Sequence, residues 1–282
     1  METPQIYKSN ALLEASYRLS VYEQRIILAC IAQVRHDAPV TDQVRYRVSA
    51  QEIAEMTGTQ LATAYQHLRA ASERLFERRV TLYKEPNGGP AHELVTRWVQ
   101  AVMYIENEGA VAIRFAAEIL PYLTQLSEQF TRYALADVAK MTSAYAIRLY
   151  EMLIQWRGTG ERVVEIDWLR DSLMLEGKYG DIQNLKRRVL EPAVEQINEL
   201  SPLWVKWEQR KTGRRVTHLV FTFGEKKDQK EKKKKLAAPQ KKITGPSLYG
   251  IPRSIIEAKA RVGESYEEAA LRLLQEAQKK SG

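Results

Sequence analysis

The predicted fold class is α+β: two tandem winged helix-turn-helix domains, a lysine-rich linker and a short helical C-terminal appendage. Two observations predict it. The element order helix, strand, short helix, turn, long helix, hairpin is spelled out twice along the 282 residues, and an unrelated fold seldom produces one order twice. The hydrophobic period also switches from about 3.6 to 2 at the same point of each copy. The expected boundaries are residues 1–135 for the first domain, 136–224 for the second, 225–243 for the linker and 244–282 for the appendage.

The first copy opens at Ser20, where Ser20-Val21-Tyr22-Glu23 has the spacing of a capping box. A helix is expected to about His36, with Ile26, Ile27, Cys30, Ile31 and Val34 inward, ended by Asp37-Ala38-Pro39. Val44–Val48 alternates as a strand. Ser49-Ala50-Gln51-Glu52 is a second capping box, opening a short helix to Thr57. Gly58 supplies the turn, and Thr59 is positioned to cap a longer helix to about Arg78. Strands follow at Val80–Lys84, Leu94–Ile105 and Val111–Phe115, with turns at Pro86–Pro90 and Asn107-Glu108-Gly109. A helix near Ala116–Leu126, interrupted by Pro121, closes the copy.

In the second copy Thr142 or Ser143 caps a helix to Trp156, with Tyr145, Leu149, Met152 and Leu153 inward. Gly158 and Gly160 break it. Val163–Ile166 is a strand, and Asp167 is placed to cap a short helix to about Leu175. Gly177 and Gly180 flank a turn before a helix from Asp181 to about Leu200. Leu203–Gln209 and Val216–Phe223 then form a hairpin around Lys211–Arg215. Tyr-Arg-Val-Ser (46–49) before the first short helix matches Val-Glu-Ile-Asp (164–167) before the second. In the appendage, short helices are expected at about Pro252–Ala260 and Tyr266–Lys279.

Composition bounds the class. With 44% hydrophobic and 28% charged residues the chain can bury a core. It has no apolar run near the ~20 residues of a membrane-spanning helix, and its N-terminus lacks the pattern of a signal peptide. A lone cysteine, Cys30, excludes a disulfide framework and fits the cytoplasm. The net charge of +8 is concentrated in residues 225–243, where nine lysines stand against Glu225, Asp228 and Glu231. Such a run is a polyanion-binding tail in some proteins and a solvated linker in many.

A helix that enters a major groove needs an apolar face for its own core and a face of long polar or cationic side chains. At 100° per residue, Ile182, Leu185, Val189, Ala193 and Ile197 fall on one side of the second long helix. Gln183, Asn184, Arg187 and Arg188 point away, and Lys186 sits at the edge, able to bend its head outward. Arginine bonds guanine bidentately, and glutamine or asparagine does the same to adenine. An Arg-rich face on an isolated helix is more simply solvated. Here the face opens the second helix of a helix-turn-helix, and Lys211, Arg214 and Arg215 follow at a hairpin tip suited to phosphates or the minor groove. In the first copy the long helix buries Leu61, Ala64, Tyr65, Leu68 and Leu75, and exposes Thr63, Gln66, His67 and Arg69. That face is less cationic and is expected to make secondary DNA contacts through Thr63, Gln66 and Arg69, while the acidic Glu106–Glu108 turn should point away from phosphate.

Catalytic patterns are missing. His36, His67, His92 and His218 form no metal-ligand spacing with Cys30. There is no phosphate loop and no Gly-x-Ser-x-Gly elbow. A nicking enzyme would need a tyrosine nucleophile and a close histidine pair; tyrosines are plentiful, the pair is not. Tyr145 and Tyr150, at helical spacing, read as core or half-buried residues. The expectation is a protein with no enzymatic activity, metal or cofactor.

Two segments carry a specific likeness. Asn10–Ser20 (NALLEASYRLS) followed by Glu23-Gln24-Arg25, and Leu185–Ala193 (LKRRVLEPA) with Ile197-Asn198, resemble the iteron-binding plasmid replication initiators over about residues 8–224. A helix that tolerates a proline in mid-run is unusual, which makes the second motif the more specific. The resemblance implies two winged-helix domains that bind origin direct repeats of double-stranded DNA as a monomer. It further implies a dimer that represses its own promoter at an operator inverted repeat, and contacts with the host initiator and replicative helicase. It places Lys186, Arg187 and Arg188 in the base-reading helix and makes the first-unit hairpin a candidate dimer surface. The lysine run and residues 244–282 lie outside the pattern. A repressor of the same fold without origin function, and a relaxase-type nickase, remain the alternatives; the missing histidine pair argues against the nickase.

Overall fold

A computed structural model describes residues 3–88, 90–226, 247–261 and 264–279. The residues up to 226 belong to one compact unit and those from 247 to a second. Within the 225–243 run, the lysines after Lys226 fall outside the described residues.

The first unit begins with β1 (Gln5–Ser9), α1 (Asn10–Glu14) and β2 (Ser16–Tyr17). Helix α2 (Val21–Ile31) starts at the expected capping box: Ser20 Oγ accepts from Glu23 N, and Glu23 Oε2 accepts from Ser20 N. Then come β3 (Tyr46–Ser49), α3 (Ala50–Thr57) and α4 (Leu61–Leu75). Ser49 and Glu52 form the second capping box, and Gly58 closes α3 at φ +71°, a left-handed conformation that favours glycine. The chain continues through β4 (Arg79–Lys84), β5 (Ala91–Arg97), β6 (Val99–Ile105) and β7 (Ala110–Phe115). After these lie β8 (Phe130–Ala134), α5 (Ala136–Ala139) and α6 (Ala144–Ile154). The second copy is completed by β9 (Glu161–Glu165), α7 (Ile166–Ser172), α8 (Ile182–Leu185), α9 (Glu191–Leu200), β10 (Leu203–Thr212) and β11 (Arg215–Glu225).

The repeat holds at the level of pairing. In one sheet the order is β3-β7-β6, in the other β9-β11-β10. Both times the strand before the short helix pairs antiparallel with the second strand of the hairpin. Each helix-turn-helix is therefore backed by the same three-stranded sheet, with β6–β7 and β10–β11 as wings.

Several boundaries differ from expectation for identifiable reasons. Leu94–Ile105 is two strands, because the fully buried Trp98 turns the chain from one sheet to another. β5 joins β4 and β2, and β6 joins β7. The helix near 116–126 is a 3₁₀ segment, Ala117–Tyr122, since Pro121 cannot donate to an α-helical ladder. The helix begun at Val21 ends at Ile31, and α4 ends at Leu75. Thr59 does not cap α4; its hydroxyl lies 2.8 Å from that of Thr57, and Gln60 holds the cap position without a side-chain bond. Asp167 does not cap α7 either, but lies in its first turn after Glu165. Leu61 is 53% exposed rather than inward. The strand pair β1–β8 had no periodic signal strong enough to be expected.

One continuous buried core runs through both copies, from Ile6 to Phe223. At their seam sits a buried polar cluster centred on Glu151, which is 1% exposed. Glu151 accepts from Lys8 Nζ (2.6 Å), Tyr133 OH (2.5 Å) and Tyr17 OH (3.3 Å), with Arg148 at 3.5 Å. Arg148 donates to the carbonyls of Leu13 and Ala15 and to Tyr17 OH. Gln24 and Arg25 donate to the carbonyls of Ala144 and Met141. The Asn10–Arg25 motif therefore supplies the carbonyls and side chains that dock α6. Burial alone would raise the Glu151 carboxyl, but the Lys8 and Arg148 charges outweigh it and hold the group below the usual range.

The second unit contains the short ribbon β12 (Ser247–Leu248) and β13 (Ile251–Pro252), then helices Arg253–Lys259 and Tyr266–Lys279 around Ile256, Ala269 and Ala270. No helix among the described residues is long and apolar enough to cross a membrane.

Candidate nucleic-acid interface

The interface is assembled around the 182–200 helical run. Asp181 caps it, its carboxylate accepting from Gln183 N (3.1 Å) and Asn184 N (3.2 Å). The turn before it is braced from α7: Arg170 donates to the carbonyls of Lys178 (3.3 Å) and Gly180 (3.1 Å). These bonds fix where the run starts relative to the rest of the helix-turn-helix.

Pro192 shapes its middle. Proline has no N–H for the carbonyl four residues back, and its ring crowds that carbonyl. The run accommodates this by widening into a π-helical segment, Lys186–Leu190, between α8 and α9. The aliphatic face is nonetheless inward as expected, with Leu185, Val189, Ala193 and Ile197 buried and Ile182 half-buried. Gln183, Asn184, Arg187 and Arg188 are exposed. Arg187 Nη2 donates to Asn184 Oδ1 at 3.3 Å, leaving the rest of its fork open.

Lys186 departs from the outward pose. It is half-buried, lies 5.9 Å from the Trp207 ring and donates to Gln209 Oε1. Its head thus ties the helix to β10. Asn198 makes a second tie, exchanging two bonds with the backbone of Val205 (2.7 and 2.9 Å). Gln196 Oε1 accepts from Thr142 N and Ser143 N just before α6, whose cap is Ser143 itself. The polar residues of α9 thereby fix the helix to its neighbours on both sides.

The wing ends at Gly213, φ +62°, between β10 and β11, with a register shift between Arg210 and Lys211. Lys211, Arg214 and Arg215 are all exposed at this tip. Arg215 is also 3.5 Å from Asp167, a pairing of two exposed groups that sequence separation conceals. Lys206 and Arg210, exposed on β10, extend the basic wing beyond the expected residues. Their signal was present in the sequence as cations on the strand leading to the turn.

The first copy carries a different surface. Thr63, Gln66 and Arg69 are exposed on α4. Arg69 lies 3.3 Å from Glu106 and packs over Tyr104 at 5.3 Å. On the same wing Glu108 is held by Arg47 at 2.8 Å. The acidic turn thus neutralises cations of its own copy. The four histidines lie apart: His36 stacks on Tyr7, His67 on Tyr22, His92 is near Tyr122 and His218 near Thr217.

Comparisons with known proteins agree with this geometry. Residues 5–154 match the family described as "Initiator Replication protein, WH1", and residues 165–223 match "Initiator Rep protein, WH2". A "Replication initiation protein" of Escherichia coli is 27% identical over 223 residues, covering 77% of this chain and 68% of the relative. An uncharacterized 27.6 kDa protein of Escherichia coli is 28% identical over 225 residues, covering 76% and 93%. Among solved structures, the Pi initiator protein in complex with iteron DNA superposes with TM-score 0.66 at 20% identity, covering 79% of this chain and 98% of that one, a likeness of fold. With both winged-helix domains matched in order over most of its length, the chain belongs to the initiator replication protein family.

Proposed function

We propose that the chain initiates plasmid replication by binding direct repeats of double-stranded DNA at an origin, without chemistry of its own. The 182–200 run lies in the major groove, Arg187 and Arg188 read guanines, and Gln183 and Asn184 read adenines. Lys211, Arg214 and Arg215 contact the backbone or minor groove beside it. Lys186 sets the angle between helix and wing. Thr63 and Gln66 add contacts from the first domain.

The observation that carries this reading is the division of the helical run: its aliphatic side is buried and its cationic side exposed, beside a basic wing. The replication initiation relative and the iteron complex of the Pi protein support it. The proposal further includes, as what the family resemblance implies, a dimer repressing its own promoter at an inverted repeat, the host initiator and replicative helicase as partners, and a cytoplasmic location.

The test is footprinting of the full chain on the DNA flanking its gene. Protection of a cluster of short direct repeats is expected, together with loss of replication when the gene is removed. Protection confined to an inverted promoter repeat, with replication unaffected, would leave a repressor; a metal-dependent cut with a tyrosine–DNA adduct would make it a nickase.

A further inference from the structure

The two helix-turn-helix copies share a topology but offer opposite chemistry to a groove. On the second, the exposed positions are Gln183, Asn184, Arg187 and Arg188. On the first, the opening turns of α4 expose Leu61, Ala62, Thr63 and Gln66. Leu61 is 53% exposed at a position the sequence marks as inward, so a large aliphatic group is presented to solvent beside two methyl-bearing neighbours. Leu61 and Ala62 line a concavity of about 680 Å³ together with the start of α3, Tyr65, and Glu106, Glu108 and Gly109 of the wing turn.

Charge does not explain this face. Its cation Arg69 is occupied by Glu106 and Tyr104, and Glu108 by Arg47. With cations and carboxylates paired, the surface neither draws phosphate strongly nor meets it with a bare carboxylate. What remains is short-range: methyl groups and one amide. In the major groove, methyl-bearing side chains contact the C5-methyl of thymine, and glutamine bonds adenine bidentately. Both features belong to A·T pairs.

We infer that the DNA repeat has two chemically distinct blocks, a guanine-bearing block read by Arg187 and Arg188 and a thymine-methyl block read by Leu61, Ala62 and Thr63. Arg69 is a positioning residue for the β6–β7 wing rather than a DNA contact. This rests on the proposed DNA-binding function and adds the first domain's base preference to it.

The experiment uses the full chain and a randomised duplex library. The enriched duplex is remade with deoxyuridine for thymidine, which deletes only the methyl, or with 7-deazaguanine, which deletes the N7 acceptor. Uracil in one block should weaken binding about three- to fivefold per contacted thymine, the worth of one buried methyl group. That penalty should vanish in Leu61→Ala and shrink in Thr63→Ser, both exposed positions whose replacement leaves the core intact. The 7-deazaguanine penalty should persist in both variants and shrink in Arg187→Ala, vanishing only when Arg188→Ala is added. Uracil silent at every position, or a penalty unchanged in Leu61→Ala and Thr63→Ser, overturns the inference while sequence-specific binding stands. A library with no enriched sequence overturns the functional reading and this one together.

Discussion

Glu151→Gln preserves side-chain volume and removes one charge from the seam between the two winged helices. In the native chain its carboxylate faces Lys8 at 2.6 Å and Arg148 at 3.5 Å, with Lys8 and Glu151 2% and 1% exposed. The amide leaves two cations where water cannot reach. Removing one partner of such a group costs about 3–5 kcal/mol. Each kcal/mol shifts the melting temperature of a domain this size by roughly 2–4 °C, so a fall of about 6–20 °C is expected. Urea denaturation of wild type and variant, followed by circular dichroism and tryptophan fluorescence, measures the difference. Adding Lys8→Met should restore part of the loss, because one uncompensated cation is removed with its partner. A single variant within about 1 kcal/mol of wild type would refute the reasoning, since the charge could then not be holding the seam. The functional corollary is geometric: this cluster docks α6 against the Asn10–Arg25 segment, and so fixes one helix-turn-helix relative to the other.

The acid limb of stability follows from two carboxylates. Burial alone would raise Glu23, but hydrogen bonds from Arg78 and from the Ser20 backbone hold it below its ordinary value of 4.5, as Lys8 and Arg148 hold Glu151. Depressed folded values mean that their stabilisation is complete above about pH 4.5 and is lost as pH falls through the folded values; urea midpoints measured from neutral to acid pH should drop there, and a flat profile counts against both ion clusters. Arg187→Ala should cost about 1–3 kcal/mol of specific binding and relax one base position, whereas Lys211→Ala should weaken all sequences alike and reduce the salt slope by about one, as read by fluorescence anisotropy at several salt concentrations. Asp167→Asn should release Arg215 from an exposed pair worth about 0.2–1 kcal/mol, so that Arg215→Ala costs more binding in that background than in wild type; equal costs would show that the pair does not restrain the wing.

Local chemistry was legible in the sequence. Both capping boxes, the Gly58 and Gly213 turns, the buried aliphatic stripe of the second long helix and its exposed arginines depend on side chains and backbone groups a few residues apart. Periodicity records such relations directly. The tertiary structure decided everything that depends on partners distant along the chain. Trp98 splits an apparently continuous strand because two sheets compete for its halves. Lys186 turns to β10, Arg215 meets Asp167, and Arg69 meets Glu106, each through pairings that no spacing reveals. Lys8, Arg148 and Glu151 look like ordinary charges on amphipathic elements; only the packing of β1 on α6 takes them out of water. Sequence fixes what each side chain is able to do, whereas the charge and solvent around it are set by groups that folding alone brings within a few ångströms.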